Sequence, residues 1–129
     1  IAQAAVNLAE SIAAKAIIVP TRRGRMADLV TNCHPQQSII CAFTNDSRTR
    51  RQLVLNRNVL SYRINFSSDP EKTLGTAAAI MMQRDEFSPD DRVVVISDAL
   101  AGTGVEAIQI RRLGDLNHHE AETAPIDSE

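Results

Sequence analysis

Tryptophan is absent from the 129 residues, tyrosine occurs once and phenylalanine three times. A chain this poor in rings has no basic stripe with interleaved aromatics, so no nucleic-acid partner is expected. Cysteine is scarce too: Cys33 and Cys41 fall at a predicted helix end and in a predicted strand, a pattern that suits reduced, buried thiols better than a disulfide or a metal site. No apolar run approaches the ~20 residues of a bilayer span, and no membrane partner is expected. The start, Ile1-Ala2-Gln3-Ala4, lacks both an initiator Met and the basic-then-apolar layout of a signal peptide. These absences read as a soluble, cytoplasmic piece of something longer.

What is present fits one domain with one core. The net charge of -2 conceals an asymmetry, because residues 115–129 carry five acids and no Lys or Arg. Residues 1–114 therefore hold 14 basic against 11 acidic groups, a mildly anion-friendly balance.

Ile1, Ala4, Ala5, Leu8, Ala9 and Ile12 recur at helical spacing, which predicts a first amphipathic helix. Ala16 to Val19 is a β-branched run closed by Pro20, and after the loop Thr21 to Arg25 a second helix presents Met26, Ala27, Leu29 and Val30 to the core. Pro35 stops it by biasing His34 out of the helical region. Ser38 to Phe43 reads as a strand, and Thr44 to Ser47 supplies caps for a helix from about Arg48 to Leu55 with Leu53 and Val54 inward. Val59 to Asn65 is a third strand, and Ser68-Asp69-Pro70-Glu71 opens a helix lasting to about Asp85. Arg92 to Ser97 and Val105 to Leu113 complete the strands. From Gly114 no periodicity remains, so the domain is expected to cover 1–113 and the acidic tail 114–129 to be disordered or loosely docked.

Apolar strands alternating with amphipathic helices imply an α/β chain with a sheet covered on both faces. In such sheets ligands sit outside the carboxyl ends of the strands, beside helix N-termini, where the strand order reverses. Two loops meet that description, Thr21 to Arg25 and Asp98 to Gly104. The first gathers a hydroxyl on Thr21, the guanidinium groups of Arg22, Arg23 and Arg25, and Gly24, whose lack of a side chain admits close backbone approach. Phosphate suits that set; a solvated basic turn is the bland alternative. The second matches G-x-G-x-x-A at Gly102, Gly104 and Ala107, but a dinucleotide fingerprint belongs to a first turn that opens a helix, and this one lies in the last. His34, His118 and His119 have no spacing for a metal. No nucleophile elbow, Walker A loop or helix-borne carboxylate pair occurs, so no catalytic residue is assigned.

The run Ile17-Ile18-Val19-Pro20-Thr21-Arg22-Arg23-Gly24-Arg25-Met26-Ala27, then Pro35, Ile39 to Thr44, Arg51-Gln52-Leu53-Val54-Leu55 and Val59, resembles the C-terminal domain of pyruvate kinases; Arg92 to Leu100 leading to Thr103-Gly104 extends the likeness. The resemblance implies a three-layer α/β/α sandwich around a five-stranded mixed sheet of order 3-2-1-4-5, its last strand antiparallel. It also implies a non-catalytic regulatory and oligomerisation domain, allosteric in character. The parent glycolytic transferase moves phosphate from phosphoenolpyruvate to ADP, with Mg and K ions, in domains preceding this one; no cofactor is implied for this piece. Expected partners are those catalytic domains, further copies through the first helix and edge strand 105–113, and a sugar-phosphate effector at Thr21, Arg22, Arg23, Gly24, Arg25, Thr103 and Gly104. Three departures bear on which effector is taken. Arg23 and Met26 stand where members tightly activated by fructose 1,6-bisphosphate have Ser or Thr, Lys72 is the only cation in Pro70 to Ala77, and Asp98 replaces a common Gly. The alternative reading, from another class, is a freestanding phosphate-ligand sensor with the same fold.

Overall fold

The structure, a computed structural model, describes residues 1–56, 58–97 and 107–116. Its elements follow as α1 (Ala2–Ser11), β1 (Ala16–Pro20), α2 (Arg25–Asn32), β2 (Ile39–Thr44), α3 (Ser47–Leu53), β3 (Val59–Arg63), α4 (Pro70–Met82), β4 (Arg92–Ile96) and β5 (Ile108–Arg112). Residues 113–116 add a helical turn.

The five strands lie in the order β3-β2-β1-β4-β5. β1 pairs in parallel with β2 and β4, β2 in parallel with β3, and β5 antiparallel with β4, as the resemblance implies. Every residue of β1 is buried, and the two-residue period of a strand splits them. Ile17 and Val19 join a core with Ala5, Val6 and Ala9 of α1, Ala27 and Val30 of α2, and Leu53 of α3. Ala16 and Ile18 join a second core with Leu74, Ala77, Ala78 and Met81 of α4, and with Leu113 and Leu116. The sheet is thus sandwiched between α1, α2 and α3 on one face and α4 with the final turn on the other.

Local chemistry sets the helix starts. Asp46 accepts from the Thr49 amide at 3.1 Å to cap α3, and Asp69 accepts from the Glu71 amide at 3.1 Å to cap α4, whose first residue is Pro70. Past the end of α2, His34 takes φ 54° and donates its amide to the Thr31 carbonyl at 3.0 Å. His34 thus leaves the right-handed helical region before Pro35, as expected, and does so in the left-handed conformation rather than the extended one.

Several expectations about faces change. The buried stripe of α1 is Ala2, Ala5, Val6 and Ala9, while Ile1 and Ala4 are exposed. Two neighbouring stripes were apolar, and the one with small side chains lies closer to the sheet. Leu29 stays 45% exposed, because at ~100° per residue it falls well round the helix from the Met26, Ala27 and Val30 face. Val54 is 50% exposed: its amide still bonds the Arg50 carbonyl, so it stands four residues on from exposed Arg50, on the outward face of α3. At the C-terminal end Leu116 is fully buried, so packing continues past the expected domain limit at 113; residues 117–129 lie outside the described residues. Residues 105 and 106 of the expected last strand do so as well.

Candidate functional site

At the carboxyl end of β1, Pro20 has no amide to donate and the ladder continues through Thr21, whose N–H reaches the Phe43 carbonyl at 2.8 Å. The Thr21 side chain is buried, and its Oγ1 accepts from the Gly24 amide at 2.9 Å. Gly24 closes this tight turn with φ 87° and hands the chain to α2. A methyl group there would meet Thr49 Cγ2 at 3.3 Å and Leu53 Cδ2 at 3.4 Å, so both backbone angle and space call for glycine. The hydroxyl and the glycine amide that the sequence offered to a ligand are thus bonded to each other.

The loop is fastened to the β2–α3 segment from the other side. Thr44 donates its hydroxyl to the Arg22 carbonyl at 3.2 Å, and the Thr49 hydroxyl oxygen lies 3.3 Å from the same carbonyl. Holding the backbone there sends the Arg22 guanidinium over the Phe66 ring, 5.1 Å from its centroid, a cation–π contact that fixes its direction. Arg22 and Arg23 then line an open cavity of about 520 Å³ with Asn45, Asp46, Arg48, Thr49 and Gln52. Asp46 is the one carboxylate in that lining. The Thr49 hydroxyl, at 2.7 Å, and the Thr49 amide hold its carboxyl below the usual range. It is therefore ionised at neutral pH and offsets one of the three guanidinium charges.

The structure brings Arg22 and Arg23 together at this cavity. Arg25 opens α2 on the surface and is outside the lining, while Thr21 and Gly24 shape the turn from within. Thr103 and Gly104 lie outside the described residues. Sequence reasoning read Asn45 and Asp46 only as capping residues and gave Arg48, Thr49 and Gln52 no role. Their signal was positional: they follow β2, the neighbour of β1, so their loop shares the carboxyl edge. Cys41, by contrast, is inert, since burial pushes its thiol up to about 12.

The chain matches the family profile "Pyruvate kinase, alpha/beta domain" over residues 1–110. It belongs to that family. The pyruvate kinase isozyme A, chloroplastic, of Nicotiana tabacum is 31% identical over 100 residues, 78% of this chain and 17% of that protein. The isozyme of the same name in Ricinus communis shows the same identity and coverage. A crystal structure of a pyruvate kinase from Cryptosporidium parvum superposes with a TM-score of 0.77 at 27% identity, covering 88% of this chain and 22% of that one. The chain thus spans about a fifth of these relatives. The two plant names are chloroplastic and lend no support to the cytoplasmic expectation. Among the described residues, no helix is long and apolar enough to cross a membrane.

Proposed function

We propose that this chain is the regulatory and oligomerisation domain of a pyruvate kinase, acting in glycolysis beside catalytic domains that supply the phosphoryl transfer. Its own part is to bind an anionic effector, a sugar phosphate, at the β1–α2 and β2–α3 loops. The observation that carries this is the convergence of Arg22, Arg23 and Arg48 on one open cavity at the carboxyl ends of adjacent parallel strands. Phosphate oxygens accept well from guanidinium forks, and the fixed Arg22 limits the entropy lost on binding. Residues 103 and 104 complete the assignment by family likeness. We assign the Mg and K ions of the parent reaction to the catalytic domains; among the described residues no group of three His, Cys, Asp or Glu could hold a metal ion. For assembly, we assign the contact between copies to α1 and the β5 edge, where Ile1 is 41% and Ile110 49% exposed.

Calorimetric titration of the chain with fructose 1,6-bisphosphate tests the effector assignment. Saturable binding that Arg23→Ala weakens and Lys15→Ala, at the other end of β1, leaves unchanged supports it; equal affinities in both variants overturn it. Pyruvate formation from phosphoenolpyruvate and ADP by the purified chain would overturn the non-catalytic role.

A further inference from the structure

On the opposite side of α3 lies a second groove, of about 420 Å³, lined by Ser47, Arg50, Arg51, Tyr62 and Arg63. Ser47, Arg50 and Arg51 stand at i, i+3 and i+4, so a single face of α3 presents them together, and β3 contributes the other two from its carboxyl end. We propose that this groove is a separate binding site for a small phosphorylated ligand, independent of the β1–α2 loop.

Its charge is uncompensated. No Asp or Glu lines it, and among the described residues no side chain forms a hydrogen bond or ion pair with the guanidinium groups of Arg50, Arg51 or Arg63. Three cations elsewhere are engaged: Arg84 is paired with Glu86 at 2.9 Å, Arg111 with Glu71 at 2.8 Å, and Arg22 rests on Phe66. Three like charges around one groove repel each other, a cost that a bound anion removes.

The walls, meanwhile, are held in place. The Ser61 hydroxyl donates to the Arg50 carbonyl at 3.1 Å, tying α3 to β3. Tyr62 stacks on Phe43 with ring centroids 5.5 Å apart, and its hydroxyl accepts from Arg84 Nη1 at 3.3 Å. Backbone and ring are thus fixed while the guanidinium forks remain available. Forks rather than ammonium groups favour planar, two-point recognition of phosphate oxygens over a diffuse attraction for any anion. The volume falls in the range of small-ligand clefts, well above that of a single chloride or water. A phosphomonoester or diphosphate of a small metabolite fits that chemistry, with the Ser47 hydroxyl as a further donor.

Titration of the full chain with inorganic pyrophosphate, in the wild type and in Arg63→Ala, Arg51→Ala and Arg23→Ala, tests the proposal. Arg51 and Arg63 are exposed, so truncation leaves the core intact, and unchanged thermal midpoints without ligand verify that. Two binding events are expected in the wild type. Arg63→Ala or Arg51→Ala weakens one of them by about tenfold or more, the loss typical of a charged hydrogen bond, and leaves the one that Arg23→Ala removes. Arg51→Lys, which keeps the charge but loses the fork, should bind less tightly than wild type. Binding abolished by Arg23→Ala alone, or unaffected by both Arg51→Ala and Arg63→Ala, overturns the proposal. So does an equal response to sodium chloride at matched ionic strength. Because the effector reading rests on Arg23 and this one on Arg51 and Arg63, each can fail without the other.

Discussion

The two faces of α3 carry similar numbers of arginines and different chemistry. On one, Arg48 joins Arg22 and Arg23, with Asp46 among them and a cation–π contact steadying one guanidinium. On the other, Arg50, Arg51 and Arg63 meet with no acid among the lining residues. The first face is a tempered site, its attraction partly cancelled by an internal carboxylate; the second is bare. What separates them is helical phase, since Arg48, Thr49 and Gln52 face one way and Ser47, Arg50 and Arg51 the other.

The largest effect should come from removing what both faces share. Leu53 anchors α3 in the core at 2% exposure, and Leu53→Ala should cost about 2–5 kcal/mol by denaturant unfolding. It should weaken anion binding on both sides at once; loss on one side only would show that the grooves do not depend on a common helix. Next comes Gly24→Ala, expected to cost about 1–2 kcal/mol because the left-handed turn is strained for a side chain and its methyl group crowds Thr49 and Leu53. That variant should impair only the face with Arg22 and Arg23.

Smaller, and more pointed, is Asp46→Asn. Asparagine still caps a helix, so stability near neutral pH should barely move, while affinity for pyrophosphate at the Arg23 face should rise several-fold. No rise would mean that Asp46 does not temper the site. The pH dependence has a definite sign. The Asp46 carboxyl is held below its ordinary value of 3.8 by the Thr49 hydroxyl and amide. Its contribution to stability is therefore complete above that value and lost as pH falls through the lower folded one. Wild type and Asp46→Asn should have parallel stability curves from pH 5 to 8 and part only in the acid range, where wild type falls relative to the variant. The smallest effect lies outside both faces: with its thiol pushed up to about 12 and buried, Cys41 should resist alkylation in the folded chain at pH 8 while the half-buried Cys33 reacts.

Much of the fold was legible because its signals were local. β-branched runs such as Val93-Val94-Val95-Ile96 and the Asp69-Pro70-Glu71 cap need no tertiary knowledge to read. Faces were harder. Leu29 and Val54 are apolar and sit near buried neighbours, yet helix phase leaves both in solvent. The loop at Thr21 to Arg25 stood out because its charges are contiguous. The partners that complete its cavity come from a segment more than 20 residues later, and only strand adjacency joins them. Packing of α3 on β3 brings Arg63 to Arg50 and Arg51, so the second groove is split between two short segments that nothing in the sequence marks as neighbours.

The central place of β1 in the sheet has a consequence for how the chain acquires its shape as it is made. β1 receives β2 on one side early, with Ala16 opposite Ile39, but its other side waits for Val93, Val94 and Val95. Until those residues leave the ribosome, the nascent domain carries a five-residue, wholly apolar strand with one unpaired backbone edge. Closure of that edge depends on contacts far apart in the sequence, which form slowly. Between the emergence of β2 and of β4 that apolar edge therefore stands open, a template for pairing with another chain.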